Sequence, residues 1–261
     1  MTPAASEFLK KTFVRHVEQR AEIGSTNDLA IELAGDAALT TPALVLADRQ
    51  TAGRGRGANA WWSAHGALTF SVILQPPAAW IPQERWPQIS LAAALAVCGT
   101  LEGLAPSERF GVKWPNDVYC GRRKISGILA EAPALKAGVP RRLIVGIGVN
   151  VNNSWAQAPE ALREVGVSLS DLSQSHHDLT GVLVTLLGEL ELRLDQLSRL
   201  DPRLADAWQS RNVLLHRHVT VLAGERTIAG RCQEIDANGG LVLEPTTGPQ
   251  TLFGGVVQAI R

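Results

Sequence analysis

Cysteine is scarce in this 261-residue sequence, and what there is does not pair. Cys98, Cys120 and Cys232 are far apart and odd in number, and no C-x-x-C occurs. That excludes a disulfide framework and a cysteine zinc knuckle. His176-His177 and His216-x-His218 lack further ligands at metal-site spacing, so they read as loop or strand residues that bind no metal. Charge of one sign is missing too, because 25 Lys and Arg are balanced by 25 Asp and Glu. A dedicated nucleic-acid binder carries excess cations to displace counterions, so any basic chemistry here must be local. The N-terminal MTPAASEFLKKTFVRH has no apolar core of the kind a signal peptide needs. The stretch ISLAAALAVCGTLEGLA is broken by Ser90, Gly99, Thr100 and Glu102, and falls short of the roughly 20 apolar residues that span a bilayer. These absences predict a cytoplasmic protein with no membrane partner. Neither a G-x-x-x-x-G-K-[ST] phosphate loop nor a G-x-S-x-G nucleophile elbow is present.

What is present suits one large domain and a small one, since 45% of the residues are hydrophobic. Strand-like and helix-like runs alternate, which argues for an α/β core. Residues 42–48, 67–74 and 143–151 are short apolar runs suited to buried strands. Residues 88–103 read as a buried helix, and the leucines of 179–200 recur at helical spacing. Asp201 and Pro202 have the chemistry of a helix start, and Ser25-Thr26-Asn27-Asp28 before LAIELA reads as a capped one. After about residue 212 the texture changes to short β runs separated by turn residues, the pattern of a small barrel of hairpins. The expected division is therefore 1–212 and 213–261, with the shorter piece leaning on the larger.

Four stretches carry candidate chemistry. In DRQTAGRGRGANAWWS (48–63), Gly53, Gly55 and Gly57 alternate with Arg54 and Arg56. Glycines let a backbone wrap a ligand, and arginines offer planar cations suited to phosphate or carboxylate. A flexible basic loop is the plainer alternative. The letters also match a dinucleotide fingerprint, but that motif needs a helix at once, and Trp61-Trp62-Ser63 follows instead. In KWPNDVYCGRRKISGILAE (113–131), Gly121 allows a hairpin that brings Asp117 and Lys124 onto neighbouring strands. The pair is either an ordinary hairpin salt bridge or a cation placed inside a cleft. GIGVNVN (146–152) keeps one strand face bare and ends near Asn150, which can read an adenine edge; alternatively it is only a tightly packed strand. Ser25-Thr26-Asn27 either caps a helix or seats a polar ligand group at a helix N-terminus.

In this order and spacing, GRGR followed by tryptophan, KWPND, RK-x-x-GIL-x-E and G-x-G-x-N resemble the signature of biotin–protein ligases. The likeness is closest from Ser25 to Asn150 and looser from there to the C-terminus. It implies a mixed central sheet with helices packed on it (α+β in sequence order) and a small SH3-like β-barrel at the C-terminus. It implies that biotin and ATP are substrates, with Mg²⁺ brought by ATP. It also implies that the acceptor is a biotin carboxyl carrier domain of a biotin-dependent carboxylase. Ser25, Thr26, Asn27 and Gln50 are then expected at the biotin head group, and Arg54, Gly55 and Arg56 in the loop that closes over it. Lys124 bridges the biotin carboxylate and the α-phosphate, and Gly127 borders the biotin pocket. Lys113, Asn116, Asp117 and Asn150 join Arg54 and Arg56 around ATP, with Arg54, Arg56, Asp117 and Lys124 as catalytic residues. A homodimer is one assembly the resemblance allows. Ala58 and Asn59 stand where the family usually has Gly and Arg, which bears on loop closure. About 20 residues precede the catalytic region, so the form without a DNA-binding domain is expected, with no DNA partner. A lipoate or octanoate ligase or transferase of similar fold is the rival enzyme. A nucleic-acid module using the arginine loop and Trp61-Trp62 is the rival of another class.

Overall fold

The computed structural model describes residues 5–57, 59–76, 81–82, 85–245 and 248–261, so Ala58 lies outside the described residues. Seven strands form the main sheet: β1 (His16–Ile23), β2 (Ala43–Gln50), β3 (Leu68–Leu74), β4 (Phe110–Lys113), β5 (Asp117–Cys120), β6 (Arg123–Glu131) and β7 (Leu143–Val149). Their spatial order is β1-β2-β3-β7-β6-β5-β4. Only β1 and β2 are parallel, and the helix α2 (Thr26–Ala34) makes the crossover between them; every other pairing is antiparallel. The sheet is therefore mixed, as expected. β2, β3 and β7 are buried along most or all of their length, because both faces are covered. That explains their continuous apolar runs.

Strand parity separates the two faces. Leu44 and Leu46 of β2 enter the main core, whereas Ala43 and Val45 meet Ala30 and Ala34 of α2 on the opposite face. The main core is roofed by α3 (Pro87–Leu104), which packs on the sheet, on α5 (Leu179–Ser198) and on α6 (Pro202–Ser210). By length and composition alone α3 is apolar enough to cross a bilayer, yet every residue from Leu91 to Cys98 is buried among protein neighbours. Asp201 caps α6 by accepting from Arg203 N, with Pro202 in the first turn.

Strands β8 (His218–Ala223), β9 (Arg226–Ile235), β10 (Leu241–Glu244), β11 (Gln250–Leu252) and β12 (Val256–Ile260) make a second, antiparallel sheet ordered β11-β10-β9-β8-β12. Its buried Val219, Val221, Leu241 and Leu243 belong to the same apolar cluster as the main core. Indole N–H groups tie the two together: Trp114 donates to Gly239 O at 3.0 Å and Trp208 to Asp236 O at 3.2 Å. Several segments have no counterpart in the sequence reading, among them α1 (Ala5–Lys11), the edge strands β1 and β4, and the short α4 (Leu169–Ser173), whose Ser168 and Asp171 form a capping box.

Candidate active site

The site begins with side chains that are missing. On the α2 face of β7, Gly146 and Gly148 leave the sheet bare, and Gly127 of β6 lies beside Gly148 in the ladder. Side chains from elsewhere occupy that floor. A Cβ at Gly146 would overlap Asn27 Oδ1, and one at Gly148 would overlap the Trp61 ring. Above the floor is a cavity of about 430 Å³, bordered by α2, β5, β6, the 53–61 loop and the β12 end of the second sheet. That volume lies in the range of small-molecule sites.

One end is polar. Ser25 occupies the N-cap position of α2, but its hydroxyl makes no capping bond. Gln50, at the end of β2, does the work instead: its Oε1 accepts from Thr26 N at 2.7 Å and from Thr26 Oγ1 at 3.1 Å. A residue 24 positions away thus satisfies the first orphan N–H of α2, that of Thr26. Buried Ser71 Oγ lies 2.8 Å from Thr26 Oγ1 and donates to Asn27 Oδ1 at 2.6 Å.

The glycine–arginine loop is a closed hairpin. Arg54 and Ala60 bridge, Gly55 N donates to Asn59 O at 2.7 Å, and Trp61 N donates to Gly53 O at 2.9 Å. Gly57 sits at φ +65°, a conformation side chains disfavour. Asn59 secures the return, its Nδ2 donating to Arg56 O at 3.0 Å. The two arginines have different surroundings. Arg54 is held bidentately by Glu131, Nη1 to Oε1 at 2.9 Å and Nη2 to Oε2 at 2.7 Å. Its Nε is 2.9 Å from Asp28 Oδ1. The hydrogen bond to Glu131 raises the Arg54 pKa above its ordinary value, burial opposes it, and the charges of Glu131 and Asp28 add to the rise. Arg56 Nη1 donates to a backbone oxygen, Gly255 O of the second sheet, at 2.5 Å. Burial lowers its pKa, and the nearby Asp117 charge offsets part of that.

The KWPND segment turns from β4 to β5 through a cis Trp114–Pro115 bond, and Asn116 Nδ2 fastens it to Ile128 O at 2.6 Å. Gly121 takes φ +58° and closes the next hairpin. In the ladder Asp117 faces Gly127, not Lys124, which pairs with Tyr119 after a register shift. The lysine side chain reaches back across the bare Gly127, and Nζ meets Asp117 Oδ1 at 2.6 Å. Its backbone is fixed from the other side by Val165 O and Val167 N. Lys113 Nζ lies 3.4 Å from Tyr119 Oη. Burial lowers the Lys113 pKa; Asp117 opposes that and Lys124 adds to it. Burial pushes the Tyr119 phenol up to about 12.

Every residue nominated from sequence lines this cavity except Asn150. Asn150 is fully buried, with its Oδ1 accepting from Asn153 Nδ2 at 3.0 Å. The expected strand through 151 stops at Val149, and the backbone of Asn150 is drawn to Ile125 O. Four contributors escaped the sequence reading. Glu131 was legible, because it shares strand parity with Gly127 and Leu129. Asp28, Ser71 and the Gly255–Val257 border carry no local signal. Among the described residues, no group of three His, Cys, Asp or Glu could hold a metal. The cavity carboxylate of Asp117 is paired with Lys124, and behind the lining Glu131 is paired with Arg54.

Residues 21–150 match the model of the Biotin/lipoate A/B protein ligase family. The biotin--[acetyl-CoA-carboxylase] ligase of Mycobacterium tuberculosis is 33% identical over 88% of this chain and 84% of its own. The bifunctional ligase/repressor BirA of Bacillus spizizenii is 33% identical over 94% of this chain and 74% of its own. Among solved structures, the biotin protein ligase from Aquifex aeolicus in complex with biotin and ATP superposes with a TM-score of 0.79. It is 28% identical and covers 95% of this chain and 99% of its own.

Proposed function

This chain belongs to the Biotin/lipoate A/B protein ligase family, and we propose that it builds and spends biotinyl-AMP in the cavity over Gly127, Gly146 and Gly148. It is an ATP-dependent biotin–protein ligase. The observation that carries the site assignment is Lys124 Nζ, laid across Gly127 into a vitamin-sized cavity beside Arg56 and Lys113.

In the first step a biotin carboxylate oxygen attacks the α-phosphorus of ATP; an acyl–O–P bond forms, and the bond to pyrophosphate breaks. Both reactants are anions, so cations must be placed where charge develops, and they act most strongly out of water. We assign that work to Lys124 and Arg56, with Lys113 and Asn116 towards the nucleotide. Mg²⁺ arrives as a complex with the ATP phosphates, since it takes most of its ligands from phosphate and water. In the second step the ε-amine of an acceptor lysine attacks the acyl carbon. A C–N bond forms, AMP leaves, and the amine proton goes to a base. A free lysine titrates near pH 10.4, so accepting or orienting its proton matters at neutral pH, and Asp117 is the carboxylate placed for it. The closed 53–61 hairpin shields a mixed anhydride from hydrolysis. The polar end formed by Ser25, Thr26, Asn27 and Gln50 supports biotin over lipoate, since a ureido ring needs donors and acceptors that a dithiolane does not.

The acceptor is the carrier domain of a biotin-dependent carboxylase. A second copy of the chain as a homodimer, a cytoplasmic setting and the absence of DNA and membrane partners belong to the same proposal. Labelled biotin should pass to a purified carrier domain only when ATP is supplied. Lys124→Ala should abolish biotin-dependent pyrophosphate release and leave the circular-dichroism spectrum and melting curve intact. Normal pyrophosphate release by that variant overturns the assignment of Lys124, and tenfold faster adenylation of lipoate than of biotin overturns the substrate.

A further inference from the structure

We infer that Glu131 is a positioning residue with two tasks: it anchors the glycine–arginine loop through Arg54, and it fixes which end of the Asn27 carboxamide faces the vitamin. The inference rests on the reading of this cavity as the biotin site, and it removes Arg54 from the cations that meet the reactants.

A carboxylate only accepts hydrogen bonds, and Glu131 uses that property towards Arg54 and Asn27. Oε1 takes Arg54 Nη1; Oε2 takes Arg54 Nη2 and also Asn27 Nδ2, the last at 2.7 Å. The Asn27 amide is thereby oriented. Its nitrogen faces two groups that can only accept, Glu131 Oε2 and Leu129 O at 3.2 Å, and so must carry the N–H pair on that side. Its oxygen is left towards Ser71 Oγ, with a second lone pair for a ligand N–H. Asn27 is 3% exposed, and its Oδ1 sits in the space that the missing side chain of Gly146 leaves. A flipped amide would point donors at Ser71 and lose both acceptor contacts. The acceptor presented to the head group is thus set from behind by Glu131.

The same carboxylate holds the loop. Bidentate arginine–carboxylate pairs are geometrically strict and among the stronger polar contacts. With Glu131 on two of its nitrogens and Asp28 beside the third, the Arg54 guanidinium is committed to protein. Arg56, two residues nearer the loop tip, has a carbonyl and no carboxylate within ion-pair distance among the described residues, and keeps its charge for an anion. Arg54 is the post on which the lid is hung, and Arg56 is the part that meets substrate.

Glu131→Gln tests both tasks, because its amide can accept through one oxygen only and presents two donors to Arg54 and Asn27. The variant should raise the biotin KM about tenfold or more, with a smaller fall in kcat for pyrophosphate exchange. It should also release biotinyl-AMP faster and be cut by trypsin after Arg54 and Arg56 faster than the parent, without biotin. Arg54→Gln should reproduce the adenylate release and the faster tryptic cutting after Arg56 but raise the biotin KM less than Glu131→Gln does, since Asn27 keeps its carboxylate. Melting curves, with mass spectrometry of the tryptic cuts, separate local loop release from global unfolding. An unchanged biotin KM and an unchanged cutting rate in Glu131→Gln overturn the proposal. So does a loss in kcat for Arg54→Gln exceeding about a hundredfold at unchanged adenylate release, which makes Arg54 a phosphate ligand. Failure of the parent enzyme to exchange pyrophosphate with biotin present would instead refute the functional reading beneath it.

Discussion

At the scale of single residues, the cavity depends as much on absent side chains as on charged ones. Lys124 reaches Asp117 only because Gly127 has nothing above its Cα: an added methyl would sit 3.0 Å from Lys124 Nζ and 3.1 Å from Cε. Gly127→Ala should therefore push the ammonium aside by a few tenths of an ångström and lower kcat/KM for biotin adenylation about tenfold. Thermal stability should barely change, because the displaced group is the end of a flexible chain; initial-rate kinetics and a melt read both. The glycines, Lys124 and the arginines were legible in the sequence because each chemical need is local in the motif. Ser25 stands at the N-cap position that the sequence marks, but its hydroxyl makes no capping bond. Gln50 reaches Thr26 N through the sheet, and no local rule anticipates a partner from the next strand. Asn150, expected at the adenine, is buried off the lining of this cavity for a complementary reason. Alternation along a strand predicts direction only while the strand lasts, and β7 ends one residue too soon.

Among the elements, α2 carries the most function per residue, since its N-terminus supplies the polar end of the cavity. Its far end is held by Arg142, which is 1% exposed. The guanidinium donates to Ala34 O at 2.9 Å, Asp36 O at 2.5 Å and Leu39 O at 3.0 Å. A cation there satisfies orphan carbonyls and complements the helix dipole. Burial lowers the Arg142 pKa, and the Asp36 charge opposes that. Arg142→Ala removes the donor from Ala34 O and Leu39 O, leaves Asp36 O with Leu39 N alone, and should cost about 2–4 kcal/mol of stability in urea unfolding. Biotin affinity should fall with it, since α2 carries Thr26 and Asn27. Nothing in the sequence marks this residue, because Arg141-Arg142 reads like any solvated basic pair. The buried strands were readable as continuous apolar runs. β1 was not: it is an edge strand, HVEQRAEI, with no fully buried position, and it looks like a polar linker until its neighbour is known.

For the whole molecule, the sequence reading of a small β unit leaning on a larger one has a physical basis in the shared apolar cluster. Val219, Val221, Cys232 and Leu241 are buried in the same cluster as Phe110, Trp114 and Trp208. A piece of that size has too little interior of its own to offset chain entropy. We therefore predict that residues 213–261, expressed alone, give the far-ultraviolet dichroism and narrow amide dispersion of an unfolded chain. A dispersed amide spectrum from that fragment would contradict the prediction. What local reading could not reach was the contribution of this unit to the cavity, because Gly255 and Arg56 are 199 positions apart.

The partner of Arg56 at that junction is a main-chain oxygen, so it survives any exchange of side chain at position 255. Position 255 is itself closed to exchange: its φ is +150°, and a Cβ would lie 2.6 Å from Val221 Cγ1. Genetic drift therefore has no easy way to erase the acceptor by point substitution, and a selection for variants deaf to the second sheet should recover changes at Arg56 or shifts in turn length, not replacements of Gly255.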